Sequence, residues 1–526
     1  MKKIVSLVLV ACFAVIALTA CAGKSFTGVK DYGGTVSSNG GFAVQKGEYV
    51  YFINGLEDST AENTFGSVVK GALVRAKLAD IKNFGTMPAS EVVVPKLFYT
   101  DYKDEGTGFY IYGDYVYYVT PSAAKDKTGT VLNTVAEFTR TKLDGTGTKV
   151  MASCEGLSTP YRFVEKDGKV YVTVYTSMND ENGNSANYLV TYDENGKQVN
   201  KSAAVNAYIF SSDATAEYAF YEKKAHNEER DEDESFSEVY RYSMVEAKDE
   251  KVLLGAGKYT DKENGIGTQG VTFNLIKMTS DALYLSETYV DTSVSTITRY
   301  YGVKLSDLTT DTTASYSKFV LLNNGTTEAS SIFAATSVYR DFEHIIYKDA
   351  TYGIVNYNYR NKDDIKTFGI ETLFYDADLA SYTYYFADDE YMYFYGNEYY
   401  YRVSIADCIA KTAAVEQITY THTSGTSDFF RFEVIDGALL IANTHDPFYG
   451  YVCAYDVDAL NDLTPAEGKT YEETVTDFIN AFDEATREKV TARTNYRIGV
   501  ISDADKEALA KYMDSNYPET SNSSAS

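Results

Sequence analysis

The sequence predicts an all-β protein, a β-propeller of four-stranded antiparallel blades with a small C-terminal α-helical appendage. Three observations predict it. One phrase, a turn residue or acid followed by alternating Tyr and β-branched residues, recurs eight times, starting at Glu48, Asp114, Lys169, Glu217, Asp281, Glu343, Glu390 and Asp436, about 55 residues apart on average. Within the phrase both faces are apolar or aromatic: Tyr391, Tyr393 and Tyr395 share one face, Met392 and Phe394 the other. A sheet with one wet face would alternate apolar with polar, so each unit is expected to be sandwiched between neighbours. Finally, 526 residues exceed the roughly 250–300 that one core supports, yet the composition is globular, with 49 Tyr, 27 Phe, no Trp and only 7 Pro. Stacked units satisfy all three.

Taken in order, the chain opens on Lys2 and Lys3 and continues through an uncharged apolar run, residues 4–20. Residues 1–20 read as a signal peptide. The run ends Leu18-Thr19-Ala20-Cys21, which resembles the lipobox of bacterial lipoproteins. That resemblance implies a diacylglycerol on the Cys21 thiol and cleavage that frees its amine, with the small Thr19 and Ala20 leaving the thiol unhindered. The mature chain is then expected on the outer face of the bacterial cell membrane, held by acyl chains worth about 0.8 kcal/mol per buried CH₂. Loss of Lys2 and Lys3 takes the net charge from −27 to −29. An anionic body beside an anionic membrane stands off it, and residues 21–41, rich in Gly and Ser, suit the lipidated tether.

Residues 42–463 are the expected propeller. Shorter strand-like segments precede the phrases, and Lys46-Gly47, Gly113-Asp114, Asp167-Gly168 and Asp436-Gly437 carry hairpin chemistry. A third strand follows each phrase, for example 72–78, 136–143 and 398–405. Several continue through a turn such as Leu143-Asp144-Gly145-Thr146-Gly147 into a weaker fourth. Four-stranded units near 50 residues mean propeller blades, eight by this count with seven as the alternative. The last phrase lacks an obvious fourth strand after Val457, so ring closure is expected from residues 26–36 or 496–501.

Asn39-Gly40-Gly41, then Gly47-Glu48-Tyr49-Val50-Tyr51-Phe52 with Asn54, and Arg140-Thr141-Lys142-Leu143-Asp144-Gly145-Thr146-Gly147 also resemble a β-propeller-like family of Gram-positive surface proteins. That family is similar to the propeller of lipoprotein-receptor-related proteins. The resemblance covers residues 40–460, most clearly in the first two or three blades, and implies a fold without any catalytic residue.

Residues 464–517 change character. Thr470-x-x-Glu473 reads as a capping box, and Tyr471, Val475, Phe478, Ile479 and Phe482 recur at helical spacing. A second helix is expected from Ser502, and residues 518–526 form a disordered tail.

Chemistry is sparse. Gly265-Ile266-Gly267-Thr268-Gln269-Gly270 matches a dinucleotide fingerprint in letters, but a strand-like segment follows where that motif needs a helix. No G-x-S-x-G is present, and His226, His344, His422 and His445 include no pair at metal spacing. His344 reads as a satisfied strand residue. The acidic run 228–234 and Asp180-Glu181-Asn182-Gly183-Asn184 lack the spacing of a calcium loop and read as solvated turns. Nine tyrosines within 382–401 fall on strand positions, where blade packing claims most of them and an exposed subset would stack on sugar rings. With Cys12 lost and Cys21 acylated, Cys154, Cys408 and Cys453 remain. Buried free thiols are expected; Cys408 and Cys453, at equivalent strands of consecutive repeats, offer a conceivable bridge. No catalytic residue, cofactor or metal ligand is assigned.

A net charge of −27 and a pI near 4.6 argue against a nucleic-acid partner. The expected function is a monomeric, lipid-anchored extracellular binding or scaffolding module with a protein or glycan ligand. The alternatives are an extracellular glycan-acting enzyme built on a propeller and, less in keeping with the strand content, a solute-binding lipoprotein of a transporter.

Overall fold

The structure, a computed structural model, describes residues 43–53, 73–81, 91–98, 109–211, 215–226, 235–256, 270–290, 296–323, 337–358, 369–417, 431–442 and 450–456 and parts of 464–477, short gaps within these spans excepted. Seven antiparallel sheets of four strands follow one another over residues 43–94, 110–155, 161–201, 207–254, 272–323, 338–374 and 383–417. Every strand pairs with its neighbour in sequence, and these sheets are the blades of a β-propeller.

Seven four-stranded blades is the smaller of the two counts and corrects the larger. The eighth phrase lies in a sheet of three strands, Arg431–Ile435, Ala438–Ala442 and Gly450–Asp456, with no fourth strand beside it among the described residues. Both segments considered for ring closure, like the signal peptide and tether, lie outside the described residues.

The acid that opens the phrase has a backbone task. After the third strand the chain returns an N–H to that residue's carbonyl: Leu78 to Glu48 (2.9 Å), Leu143 to Asp114 (2.7 Å), Met244 to Glu217 (2.8 Å), Leu305 to Asp281 (2.8 Å) and Ile405 to Glu390 (2.9 Å). This latch fixes where the third strand ends, and its apolar residue drops into the core: Leu143, Met244 and Ile405 are all buried.

The hydrophobic core is divided among the seams between blades. In the second strand of blade two (Tyr115–Pro121), Val116 and Tyr118 pack with Tyr51, Ile53 and Val93 of blade one. Tyr117 and Val119 of the same strand pack with Phe163 and Val172 of blade three. The alternation repeats around the fold. Val164 and Leu189 of blade three meet Ala219 and Tyr221 of blade four, and Phe220 meets Leu283 and Leu285 of blade five. Ala282 and Tyr284 meet Ile345 and Tyr357 of blade six, and Ile346 meets Met392 and Phe394 of blade seven. This is why both strand faces are apolar. Each side chain so buried contributes about 1.5–3 kcal/mol.

Among the described residues helices are few and short: Leu78–Ile81, Thr312–Ser317, Ala377–Ser381 and Ile405–Ala410. At the start of the appendage the capping box is formed. The Thr470 N–H donates to Glu473 Oε2 (2.8 Å) and the Glu473 N–H to Thr470 Oγ1 (3.1 Å). The remainder of that region lies outside the described residues.

Candidate functional site

Several residues singled out in the sequence prove to be structural. His344 sits in the second strand of blade six (His344–Asp349), its Nδ1 2.8 Å from Asp341 Oδ1 at the hairpin beneath it. Of the glycine motif at 265–270 only Gly270 is described, and the strand Thr272–Met278 follows it. The acidic run 228–234 lies outside the described residues, between the strands Tyr218–His226 and Ser235–Ser243. Asp180 is committed to its own turn: Oδ1 accepts the N–H groups of Asn182 (2.8 Å) and Asn184 (2.7 Å), which holds its carboxyl below the usual range. All nine tyrosines of 382–401 are buried or half-buried. Cys21 lies outside the described residues.

The cysteine reading needs one correction. Cys154 and Cys408 are buried free thiols, as expected, so Cys408 is not bridged to Cys453. Nor does Cys408 lie at a strand end. The strand Tyr399–Ser404 stops four residues earlier because the Ser404 hydroxyl caps the helix Ile405–Ala410, accepting the Asp407 N–H at 3.2 Å. Burial pushes the Cys408 thiol up to about 12, an inert state.

The charges inside the blades form a repeated ladder. In four blades a third-strand arginine lies over the first tyrosine of the second strand: Arg75 over Tyr49 (4.2 Å), Arg140 over Tyr115 (4.7 Å), Arg241 over Tyr218 (5.4 Å) and Arg402 over Tyr391 (4.0 Å). A fourth-strand acid completes three of these, Glu91 on Arg75 (2.8 Å), Glu250 on Arg241 (2.6 Å) and Glu416 on Arg402 (2.6 Å). In blade two, Lys149 occupies the acid's register position, and Arg140 reaches across to Glu194 of blade three (3.2 Å). Ring face and carboxylate together hold a guanidinium in a largely apolar seam. Three further acids, of which Glu222 and Glu287 are buried, are also engaged. Ser237 Oγ donates to Glu222, Tyr221 donates to Asp249 (2.6 Å), and Tyr316 donates to Glu287. Burial pushes both Glu222 and Asp249 above the usual carboxylate range. Among the described residues, no group of three or more His, Cys, Asp or Glu is placed to hold a metal ion.

One opening is lined differently. In an antiparallel meander the turn after the first strand and the turn after the third fall at the same end of the blade. At that end, a cleft of about 380 Å³ opens between blades three and four. Blade three supplies Lys169 and Tyr171 from its second strand (Lys169–Asn179), and Asp193, Glu194, Asn195, Lys197 and Gln198 around its third turn. Blade four supplies Val245 and Ala247.

The walls are pinned. Asp193 Oδ1 accepts the N–H groups of Asn195 (2.8 Å) and Lys197 (2.9 Å), and Glu194 is held by Arg140. Gly196 closes the turn at φ +81°, where a Cβ would stand 3.2 Å from the Met151 carbonyl of blade two. Opposite, the buried Asn200 Nδ2 donates to the Ser243 (2.9 Å) and Lys248 (3.0 Å) carbonyls, fixing the turn of blade four that carries Val245 and Ala247. Lys166–Glu217 (2.6 Å) and Thr191–Tyr242 (2.9 Å) close the same seam. Tyr171 is half-buried, directly across the ladder from Asp193. The side chains of Tyr171, Lys169, Lys197 and Gln198 make no hydrogen bond or ion pair to a described residue. The sequence placed Tyr171 only as a strand residue; the Asp193-x-x-Gly196 turn beside it was the available signal.

The chain matches no family model and no curated protein. Among solved structures it is similar to the β-propeller domain of the Trilobed protease from Pyrococcus furiosus, at 9% identity and TM-score 0.32, over 81% of this chain and 93% of that one. It is also similar to a puromycin-hydrolyzing peptidase from Mycobacterium tuberculosis, at 11% identity and TM-score 0.33, over 80% of this chain and 61% of that one. An uncharacterized protein from Listeria monocytogenes EGD-e matches at 11% identity and TM-score 0.30, over 68% of this chain and 93% of that one. Likenesses at this level carry no argument about activity.

Proposed function

We propose that this chain is a lipid-anchored binding propeller, tethered through Cys21 to the outer face of the cell membrane, that takes a glycan or protein segment in the cleft between blades three and four. The lipobox-like Leu18-Thr19-Ala20-Cys21 and the likeness of residues 39–54 and 140–147 to propellers of Gram-positive surface proteins support the setting. The observation that carries the reading is the contrast in commitment. The acids with raised proton affinity are tied into seams, whereas Tyr171, Lys169, Lys197 and Gln198 face a rigid cleft with their polar groups unspent. Asp193 and Glu194 line the same cleft, but one is held by its turn and the other by Arg140, so they make a poor acid–base pair for glycoside hydrolysis.

The test compares residues 26–526 with the Tyr171→Ala variant by thermal unfolding against a panel of glycans and peptides. A ligand specific to the native state stabilises it by roughly 2.7 kcal/mol at a hundredfold over its Kd. A shift for the parent protein that the variant loses, with the unliganded melting point unchanged, is expected. A shift that survives in Tyr171→Ala would place binding elsewhere.

A further inference from the structure

We infer that the cleft between blades three and four selects anionic saccharides: a sugar ring stacked on Tyr171, with its carboxylate or phosphate between Lys169 and Lys197. The inference rests on the binding reading above and names the ligand class. Electrostatics carry it. The chain has 75 acids against 48 bases, so its average surface repels an anion. In this cleft the balance tips the other way. Lys169 and Lys197 offset Asp193 and Glu194 of the lining, and Arg140, paired with Glu194, leaves the bases in excess. Lys169 and Lys197 have no acidic partner among the described residues. Both are exposed, so each ammonium can follow an anion without leaving water before it binds.

Tyr171 supplies the second half of the recognition. A half-buried phenol offers a ring face to the C–H groups of a sugar and a hydroxyl to one of its oxygens. Gln198 adds an amide at the rim. A neutral sugar would meet the ring and the amide but leave both lysines idle. The pinned walls make the site pre-formed, which limits the ordering cost of binding.

The experiment is calorimetric titration of residues 26–526 with three probes of similar length: a neutral gluco-oligosaccharide, a galacturonate oligomer and a phosphodiester-linked glycan. At least one anionic probe is expected to bind about tenfold more tightly than the neutral one, with the advantage shrinking as salt is raised. Whether the uronate or the phosphodiester glycan binds identifies the source of the anion. The Lys169→Gln/Lys197→Gln double variant should lose the anionic advantage while keeping its melting temperature. Equal affinity for neutral and anionic probes, abolished by Tyr171→Ala, would overturn the charge selectivity and leave the binding cleft standing. No probe sensitive to Tyr171→Ala would overturn both.

Discussion

At the scale of single residues, the molecule sorts ionisable groups into those that hold blades together and those that face solvent. Glu222 is the clearest of the former. It is buried, accepts the Ser237 hydroxyl, and that hydroxyl in turn accepts the Phe273 N–H of blade five (3.1 Å). Burial raises its proton affinity above the unfolded value of 4.5. The native state therefore holds a proton over a range where the unfolded chain has lost it, and stability falls as pH rises through that range. Glu222→Gln keeps an acceptor for Ser237 and removes the charge. The variant should unfold at higher temperature than the parent at pH 8, with the difference closing as pH approaches 4.5; an equal gap at both ends would mean that the charge is not the cause. The tyrosine–arginine–acid ladder belongs to the same scale. It was invisible in the sequence because Arg75 and Tyr49 are 26 residues apart, and only the strand register brings them together.

At the scale of elements, five-residue turns with the pattern Asp-x-x-Gly-x recur at 126–130, 180–184 and 193–197. In each, the Asp side chain accepts two backbone N–H groups and the Gly takes positive φ. They are one device in different surroundings. A Cβ at Gly129 would meet open space, whereas at Gly196 it would crowd blade two. Gly129→Ala should cost about 1–2 kcal/mol from the left-handed backbone alone, and Gly196→Ala should cost more and also weaken ligand binding in the cleft. Equal losses in urea titrations would sink the claim that this turn is wedged. These elements also show what a sequence makes legible. Period-two patterning and Asp-Gly turns are local, so the second and third strands could be placed from letters alone. The helix at Ile405–Ala410 was missed although Ser404-Ile405-Ala406-Asp407 carries a capping signal, because the preceding Tyr run suggested a longer strand. The cleft was missed for a different reason: it exists only where turns of two blades meet.

At the scale of the whole molecule, the seams make each blade depend on its neighbours while the turns remain free to diversify. On the anchoring proposed above, a body of net charge −29 after loss of Lys2 and Lys3 would need a covalent anchor rather than surface attraction to stay at an anionic membrane. Cys21→Ser should accordingly move the protein from the membrane fraction to the medium or keep it as an unprocessed precursor. Mass spectrometry of the parent protein should find a lipidated N-terminal cysteine. A Cys21→Ser protein still membrane-bound after signal removal would show that the anchor lies elsewhere. Blade number was the least legible property at this scale, because a ring is defined by its last contact, and the eighth phrase has only two strand partners among the described residues.

The division of the core among seams has a further consequence, for the order in which the protein is made. Strand pairing stays within each blade of about fifty residues, so a blade's hydrogen bonds can form as soon as its own four strands have emerged. Its forward face cannot be covered until the next blade arrives. A chain delivered from its N-terminus therefore always carries a bare aromatic wall at its growing end: Tyr117 and Val119 wait for Phe163 and Val172, then Val164 and Leu189 wait for Tyr221. Growth by addition to such a wall is self-templating, and a pause at any seam leaves a surface that a second nascent copy could occupy.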